Sequence, residues 1–184
     1  MHRLIARPRR ARLEDAPAIA AAHLAAWAEN YGGLMPAEML AAHDLDSRTQ
    51  LWRHLIGTPA APACAIYVVE DGSGGVIGFA ACGPQRDKTL AALGFRGEFW
   101  AVYVLRAGRG RGLGRQLIGA CARRLLAHDM PAAAIRLLAG HAEGRRWCRA
   151  LAGEEIALPG PSSFPDGLPN IAYGWRNILG LALE

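Results

Sequence analysis

The spacing of apolar residues predicts helices in the N-terminal part of the chain. After a short expected strand at residues 4–10, apolar side chains recur at helical intervals behind Asp15, which is expected to cap the first helix. A second helical region starts at Pro36 and stops at Gly57, and a break is expected near residues 44–46.

Continuous apolar runs predict the strands of a sheet. Residues 64–84 contain two such runs around the turn sequence DGSGG, which predicts a β-hairpin. Residues 99–105, FWAVYVL, are apolar almost throughout, as in a strand buried on both faces. Apolar residues then recur every four positions from Leu113 to Leu125, which predicts an amphipathic helix before a further strand at residues 132–140. A strand, a helix and a strand within about 40 residues indicate a right-handed parallel crossover.

The C-terminal part of the sequence predicts a short helix at residues 143–153, a loop at residues 159–170 and a final strand at residues 171–178. No repeat, low-complexity linker or shift in composition divides the 184 residues. A chain of this length can bury one core, so a single domain over residues 1–184 is expected.

Charge and composition add only weak constraints. The formal net charge is +5 and Lys88 is the only lysine, so the positive charge is carried by arginine, whose forked side chain suits phosphate. A coding bias toward Arg and Ala explains the same surplus. The four cysteines and six histidines form neither a CxxC nor an HExxH motif, so no metal site is expected. The sequence has no signal-like or membrane-spanning apolar run, which predicts a cytoplasmic protein without a membrane partner.

Four glycines alternate with other residues between the predicted strand and the amphipathic helix: Gly108, Gly110, Gly112 and Gly114. The first amides of a helix have no internal partner and the helix dipole adds positive charge there, so such a loop can bind an anion. The motif GxxxxGK[ST] is excluded because no lysine follows these glycines, and GxGxxG is excluded because its last glycine is missing. The segment from Arg109 to Gly114 instead has the form R-x-x-G-x-G.

This strand, R-x-x-G-x-G loop and helix resemble the pyrophosphate-binding region of the GCN5-related N-acetyltransferase (GNAT) superfamily. The resemblance covers most of the chain, because the N-terminal helices, the hairpin, the segment RRWCRALAGEEIA and the late AYGW are similar to family features. It implies an α/β (α+β) fold with a mixed, mostly antiparallel central sheet, a splayed parallel strand pair and flanking helices. It also implies acetyl-CoA as the co-substrate.

The resemblance implies a set of residues for acetyl-CoA. Backbone amides of the loop would hold the pyrophosphate, and main-chain groups of the preceding strand would contact the pantetheine and the acetyl group. An amide freed by the splay would point at the thioester oxygen and stabilise its developing charge. His141 stands where many relatives have asparagine and could hydrogen-bond the cofactor arm. The other residues concerned are Arg109, Gly110, Arg111, Gly112, Leu113 and Gly114 in the loop, and Tyr103, Val104 and Leu105 in the strand.

The same resemblance implies two residues for acid–base chemistry. Glu98 stands where many relatives carry a catalytic glutamate, so it is expected to deprotonate the amine. A solvated charge at the start of a strand is the alternative for Glu98, and Asp87 or Glu70 could serve as the base instead. The usual tyrosine acid is missing, and Cys148 aligns with it. Cys148 is either a proton donor or a buried core cysteine, and we expect it to lie beside the cofactor with a modest catalytic share.

The acceptor side is less defined by the sequence. In similar proteins the segment between the first two helices and the loop after the hairpin line the acceptor cleft. This implies Trp27, Tyr31, Arg86 and Asp87 as candidates, with the aromatic rings stacking on the acceptor and Arg86 holding a carboxylate. Trp27 and Tyr31 lie four residues apart on one helix, so they could equally be core residues.

Three functions are compatible with these features. The first is an N-acetyltransferase that moves an acetyl group from acetyl-CoA to a primary amine, of a small molecule or of a protein, by direct attack in a ternary complex, as a monomer or homodimer. The second is a non-catalytic acyl-CoA-binding or sensing domain, which the missing tyrosine favours. The third, an arginine–glycine arm for nucleic acid, is disfavoured because such arms lie in disordered tracts, whereas this loop lies between a strand and an apolar helix. No nucleic-acid partner is therefore expected.

Overall fold

A seven-stranded sheet organises the computed structural model, which describes residues 7–158 and 167–183. Parts of two predicted segments, residues 4–6 and 159–166, lie outside the described residues. The strands are β1 (Arg9–Arg10), β2 (Ala65–Glu70), β3 (Val76–Pro84), β4 (Gly97–Val104), β5 (Ala133–Leu138), β6 (Glu154–Ile156) and β7 (Asn170–Trp175). The helices are α1 (Ala16–Tyr31), α2 (Ala37–Ala41), α3 (Leu45–Gly57), α4 (Lys88–Ala92), α5 (Leu113–Leu126), α6 (Ala142–Ala150) and α7 (Leu179–Ala182).

The sheet is mixed and mostly antiparallel, as predicted. Its order is β1-β2-β3-β4-β5-β7-β6, and β4 and β5 are its parallel pair. These two strands pair with each other at Gly97 with Ala133 and at Glu98 with Ala134, and their other residues, as given above, do not pair across β4 and β5. Close approach at this end requires glycine, because a Cβ on Gly97 would lie 2.9 Å from Leu125 Cδ1. The parallel strands therefore meet at one end and separate toward the carboxyl end of β4.

Helices cover both faces of the sheet. On one face α5 packs against the sheet, with Leu117 and Ile118 fully buried. On the other face α1 and α3 pack through Ile19 and Trp52 against Phe79 of β3. Burial of a large apolar side chain contributes about 1.5–3 kcal/mol, so both layers hold the central strands in place.

An irregular register between β3 and β4 bends the sheet beside the splay. Ala81 pairs with Ala101 and Cys82 pairs with Phe99, which leaves Trp100 as an extra residue. A bulge of this kind re-aims side chains next to it. Trp100 and Ala101 consequently line one cavity together.

The structure also differs from the sequence prediction in its short elements. The break between α2 and α3 occurs where it was expected, but α4, β6 and α7 were not predicted. Asp15 occupies the N-cap position of α1, yet its side chain does not cap this helix, because it accepts hydrogen bonds from Arg9 and from the Arg12 amide.

Within residues 7–158 and 167–183, no helix has the length and apolar character needed to cross a membrane.

Candidate active site

A cleft of about 460 Å³ opens where β4 separates from β5. Its walls come from the carboxyl half of β4, the glycine loop, the start of α5 and one side of α6. The lining includes Tyr103, Val104, Arg109, Gly110, Gly112, Leu113 and Gly114, all predicted from the sequence, and Asn30, Val102, Arg115, Glu143, Gly144, Trp147 and Leu151, which were not.

The glycine loop presents bare backbone to this cleft. Gly110 and Gly112 both have φ of 74°, a left-handed conformation that favours glycine. A Cβ on either residue would meet no described atom within 4 Å, so the space beyond them is open. Gly112 is the N-cap of α5, whose first amides have no carbonyl one turn earlier. Leu113 is only 4% exposed and anchors this helix start in the core.

Trp147 of α6 forms the wall opposite the start of α5. A Cβ on Gly114 would lie 3.4 Å from Trp147 Nε1, in ordinary contact. The sequence did not predict Trp147 as a site residue. Trp147 follows Gly144 by three residues, so both lie on one face of α6, and both line the cleft. This spacing is the sequence feature that could have indicated Trp147 as a site residue.

The Arg109 side chain fastens the loop to its surroundings, a role that the sequence did not suggest. Its Nε donates to the Val104 carbonyl at 3.2 Å and its guanidinium donates to Asn30 Oδ1 at 2.9 Å. It also forms ion pairs of 3.3 Å with Glu29 of α1 and with Glu143 of α6. Arg109 thus links α1, β4 and α6 around the cleft.

His141 lies at the N-cap of α6, and Leu105 lies directly after β4. The His141 ring packs edge-on against Tyr31 at a centroid distance of 5.3 Å. Its Nε2 is buried without a hydrogen-bond partner among the described residues, and burial lowers the pKa of the ring. Neither His141 nor Leu105 is among the lining residues of the cleft. Arg111, at the tip of the loop, is exposed.

A second cavity, of about 540 Å³, lies on the side of α1 and α3. We call it the acceptor cavity, after the residues that the sequence analysis predicted for the acceptor. Tyr103 lines both this cavity and the cleft, so the two cavities lie next to the same residue of β4. The predicted acceptor residues Trp27, Tyr31 and Arg86 also line it. Its other lining residues are His23, Met35, Arg48, Leu51, Trp52, Leu55, Ala81, Trp100, Ala101, Arg136, Leu137, Leu138 and Leu168.

Hydrogen-bonded aromatic side chains form part of the wall of the acceptor cavity. Trp27 Nε1 donates to the Tyr103 hydroxyl at 3.2 Å, and the hydroxyls of Tyr31 and Tyr103 are also 3.2 Å apart. Burial raises the pKa of both tyrosines, so both hydroxyls stay protonated at neutral pH. Trp27 and Tyr31 are therefore cavity residues that also pack, rather than core residues alone.

His23 is a neutral histidine in the wall of this cavity. Trp52 Nε1 donates to His23 Nδ1 at 3.3 Å, which leaves the ring proton on Nε2. Burial, with a smaller effect from the charge of Arg48, lowers the pKa of His23 to about 3. A ring with this pKa is too weak a base to take a proton from an alkylammonium.

The acidic residues proposed from the sequence are all held by arginine. Arg86 donates to both carboxylate oxygens of Glu98, at 2.9 Å and 2.8 Å, and its backbone amide donates at 3.0 Å. Asp87 caps α4 and forms a 2.6 Å ion pair with Arg136. Glu70, at the end of β2, forms an ion pair with Arg9. These contacts argue against Glu98 as a general base and against Arg86 as the group that holds a carboxylate, because each already neutralises the other.

Cys148 lies in the apolar core and does not line the cleft, whereas the sequence analysis expected it beside the cofactor. It is 1% exposed and belongs to the apolar cluster under α5. Burial raises the pKa of its thiol to about 12. A coenzyme A thiol has a pKa near ~8.5, so a group with the pKa of Cys148 would be a poor proton donor to it. The sequence placed Cys148 by alignment with the family's tyrosine, whereas the packing of α6 turns this position toward the core.

The sequence and the structure both resemble known acetyltransferases. Residues 20–146 match the model of the Acetyltransferase (GNAT) family. The curated relative YuaI of Bacillus subtilis (strain 168), an uncharacterized N-acetyltransferase, is 33% identical over 122 residues, which are 65% of this chain and 64% of that relative.

Solved structures agree with this family match. The ribosomal-protein-alanine N-acetyltransferase from Brucella melitensis superimposes with a TM-score of 0.64 at 25% identity, covering 91% of this chain and 98% of that one. A phosphinothricin acetyltransferase from Sinorhizobium meliloti, solved in complex with AcCoA, has a TM-score of 0.66 at 19% identity and covers 94% of this chain and 88% of that one. The chain belongs to the GNAT acetyltransferase family.

Proposed function

We propose that this protein transfers an acetyl group from acetyl-CoA to the primary amine of an acceptor, by direct attack while both substrates are bound. The observation that carries the proposal is the pair of cavities that share Tyr103 in their linings, one beside a glycine-lined helix start and the other lined by aromatic side chains.

The cleft fits acetyl-CoA in three respects. The bare backbone of Gly110 and Gly112 and the free amides at the start of α5 suit a pyrophosphate. The Trp147 wall and the pocket between β4 and α6 suit the pantetheine arm. We assign the unpaired Nε2 of His141, at the N-cap of α6 two residues before the lining residue Glu143, to one amide of this arm. Bound there, acetyl-CoA supplies the activated acetyl group. The site residues predicted in the loop and strand are proposed to hold it mainly through main-chain groups.

Separation of β4 from β5 supplies the electrostatic part of the reaction. Beyond Glu98, main-chain groups on that edge of β4 are not paired with β5. We assign a β4 amide on this edge to the thioester oxygen, where a fixed donor stabilises negative charge that develops during attack. Such a donor typically contributes about 3 kcal/mol to transition-state stabilisation.

Proton transfer in this site does not use the predicted acid and base. Because Glu98 is held by Arg86 and Cys148 lies in the core, we assign Glu98 to positioning the segment after β3 against β4. The acceptor binds as the neutral amine, after its ammonium proton has left to solvent, and the proton that the nitrogen loses on attack goes with the departing thiolate. The Tyr103 hydroxyl stays protonated and accepts a hydrogen bond from Trp27, so we assign it to positioning rather than to proton transfer.

The acceptor named for two similar proteins differs, being the alanine of a ribosomal protein in one and phosphinothricin in the other. A screen of amines with detection of released coenzyme A thiol tests the proposal, together with calorimetric binding of acetyl-CoA. Transfer to an amine with a one-to-one yield of thiol is expected. Tight binding of acetyl-CoA with no turnover on any amine would favour the non-catalytic acyl-CoA-binding domain, for which the missing tyrosine is the specific observation.

A further inference from the structure

Three arginines line the acceptor cavity, and two of them are neutralised by carboxylates. Arg86 pairs with Glu98 and Arg136 pairs with Asp87. For the guanidinium of Arg48, by contrast, no hydrogen bond or ion pair exists with any residue of the described ranges. With His23 neutral, Arg48 is the charge of this lining that no described side chain balances.

Arg48 packs against an aromatic ring of the cavity lining. Its Cζ lies 4.8 Å from the centroid of the Trp27 ring, which fixes one face of the guanidinium and leaves its N–H edge available. Trp27 itself is hydrogen-bonded to Tyr103, the residue that lines both cavities. Besides burial, the charge of Arg48 affects the pKa of His23, so the guanidinium lies near this wall as well. Arg48 is thus close to the place where acetyl transfer is proposed.

We propose that Arg48 binds an anionic group of the acceptor, and that the acceptor is a small molecule carrying a primary amine, a carboxylate and an apolar or aromatic body. This inference rests on the proposed function. A partly desolvated guanidinium without a partner is costly, and a carboxylate that accepts two of its N–H groups removes that cost. A plain alkylammonium would instead meet a like charge.

The size and the other walls of the cavity agree with this class of acceptor. A volume of about 540 Å³ lies within the range of small-molecule sites. Trp52, Leu55 and Trp100 supply an apolar wall against which the body of the acceptor can pack. The cavity therefore favours an amino acid or a similar amino carboxylate over an unsubstituted amine.

The test compares amino acids with the amines formed by removing their carboxylate. Phenylalanine is paired with phenylethylamine, and leucine with 3-methylbutylamine, and kcat/KM is referred to the unprotonated amine in each case. The wild-type protein is expected to prefer each carboxylate by at least about tenfold, as a charge-assisted hydrogen-bonded pair would give. Arg48→Gln is expected to remove this preference by raising KM for the amino acid, with little change for the matching amine.

Arg53→Gln is the matched control. Arg53 lies on the same helix, is exposed, and does not line the cavity, so this variant changes the net charge equally. It is expected to leave the preference unchanged. Equal kcat/KM for an amino acid and its decarboxylated partner in the wild-type protein, or an unchanged preference in Arg48→Gln, would overturn the inference.

A binding measurement separates this inference from the proposed function. Calorimetry with 3-phenylpropanoate, which has the carboxylate and the ring but no amine, requires no turnover. Binding that weakens at least tenfold in Arg48→Gln and not in Arg53→Gln supports the anion site even if no amine is acetylated. Turnover of amines without binding of this probe, or a preference for peptide N-termini over every small amino carboxylate, would reject it.

Discussion

At the scale of single residues, burial decides the behaviour of Cys148 and His23. Neither side chain is accessible enough to exchange protons with solvent easily, and for both the pKa shifts toward the neutral form. Their contribution is therefore to stability, and each can be tested without knowledge of the acceptor.

Cys148→Ala should reduce stability and leave turnover nearly unchanged. Removal of the sulfur leaves a small cavity under α5, which costs about 1–2 kcal/mol. Urea denaturation and steady-state rates measure the two effects. Cys148→Tyr provides the opposite change of volume and should destabilise the fold by overpacking, by about 1–3 kcal/mol or more. A thousandfold loss of turnover in Cys148→Ala at unchanged stability would restore the cysteine as an acid.

His23 should make stability depend on pH. Its pKa is lowered from 6.5 to about 3 in the folded protein, so the unfolded chain binds the proton more strongly. The resulting stability is fully present above pH 6.5 and is lost as the pH falls toward about 3, with a slope of up to about 1.4 kcal/mol per pH unit. The free energy of unfolding, measured by urea denaturation between pH 7 and pH 5, should change less with pH in His23→Gln than in the wild type. His54→Gln, at an exposed position of α3, is measured alongside as the control for replacing a histidine with glutamine.

Glu98→Gln should change the rate without changing the shape of its pH profile. The carboxylate is already bound to Arg86, so its loss weakens the hold on the segment after β3 rather than removing a base. The profile of kcat/KM against pH for Glu98→Gln should run parallel to that of the wild type. The free energy of unfolding should fall by about 1–3 kcal/mol. Selective loss of rate at neutral pH with recovery at high pH would instead identify Glu98 as the base.

At the scale of elements, the start of α5 is the part of the molecule most suited to an anion. Gly112→Val should abolish or strongly weaken binding of acetyl-CoA, because a branched side chain would fill the space open beyond the loop. The left-handed φ of 74° also strains any such residue by about 1–2 kcal/mol. Gly74→Val is the matched control, since Gly74 has φ of 86° and open space around it but lies in the β2–β3 turn.

Calorimetry of the two glycine variants separates strain from the loss of the site. Both should be destabilised to a similar degree, and acetyl-CoA should bind to Gly74→Val as it does to the wild type. If Gly112→Val is folded and binds acetyl-CoA with unchanged affinity, the loop is not the pyrophosphate site.

Elements with a strong local signal could be predicted from the sequence. A pattern of a few consecutive residues is enough to predict the hairpin of β2 and β3, the apolar stripe of α5 and the strand β4. By contrast, α4 and α7 have five and four residues, too few for a helical period to be visible. The three-residue β6 forms because β7 is available as its partner, which no local pattern contains.

The site was predictable only as far as its backbone. The glycine loop follows from residues adjacent in sequence, whereas the pairs of Arg86 with Glu98 and of Arg109 with Glu29 join residues 12 and 80 positions apart. Such pairs depend on how the elements pack, so the sequence did not reveal that Glu98 is already held. Arg48 was missed for the same reason, because only the fold shows that its neighbours across the cavity are neutralised.

At the scale of the whole molecule, the cleft and the acceptor cavity approach Tyr103 from different sides of the sheet. The cleft lies between β4, α5 and α6, and the acceptor cavity lies by α1 and α3. Neither substrate has to leave before the other enters. Initial rates measured at several fixed acetyl-CoA concentrations should therefore give double-reciprocal lines that intersect. Parallel lines would indicate an acetylated protein as intermediate and would contradict direct transfer.

The distribution of tryptophan over the molecule has a spectroscopic consequence. Of the five tryptophans, Trp147 borders the cleft, Trp27, Trp52 and Trp100 border the acceptor cavity, and Trp175 lies in the core. Indole emission responds to the polarity of its surroundings, so the protein carries separate intrinsic reporters for its two cavities. A Trp147→Phe variant lacks the tryptophan that borders the cleft, so its emission should change when a ligand enters the acceptor cavity. Candidate acceptors can then be screened by the fluorescence of this variant.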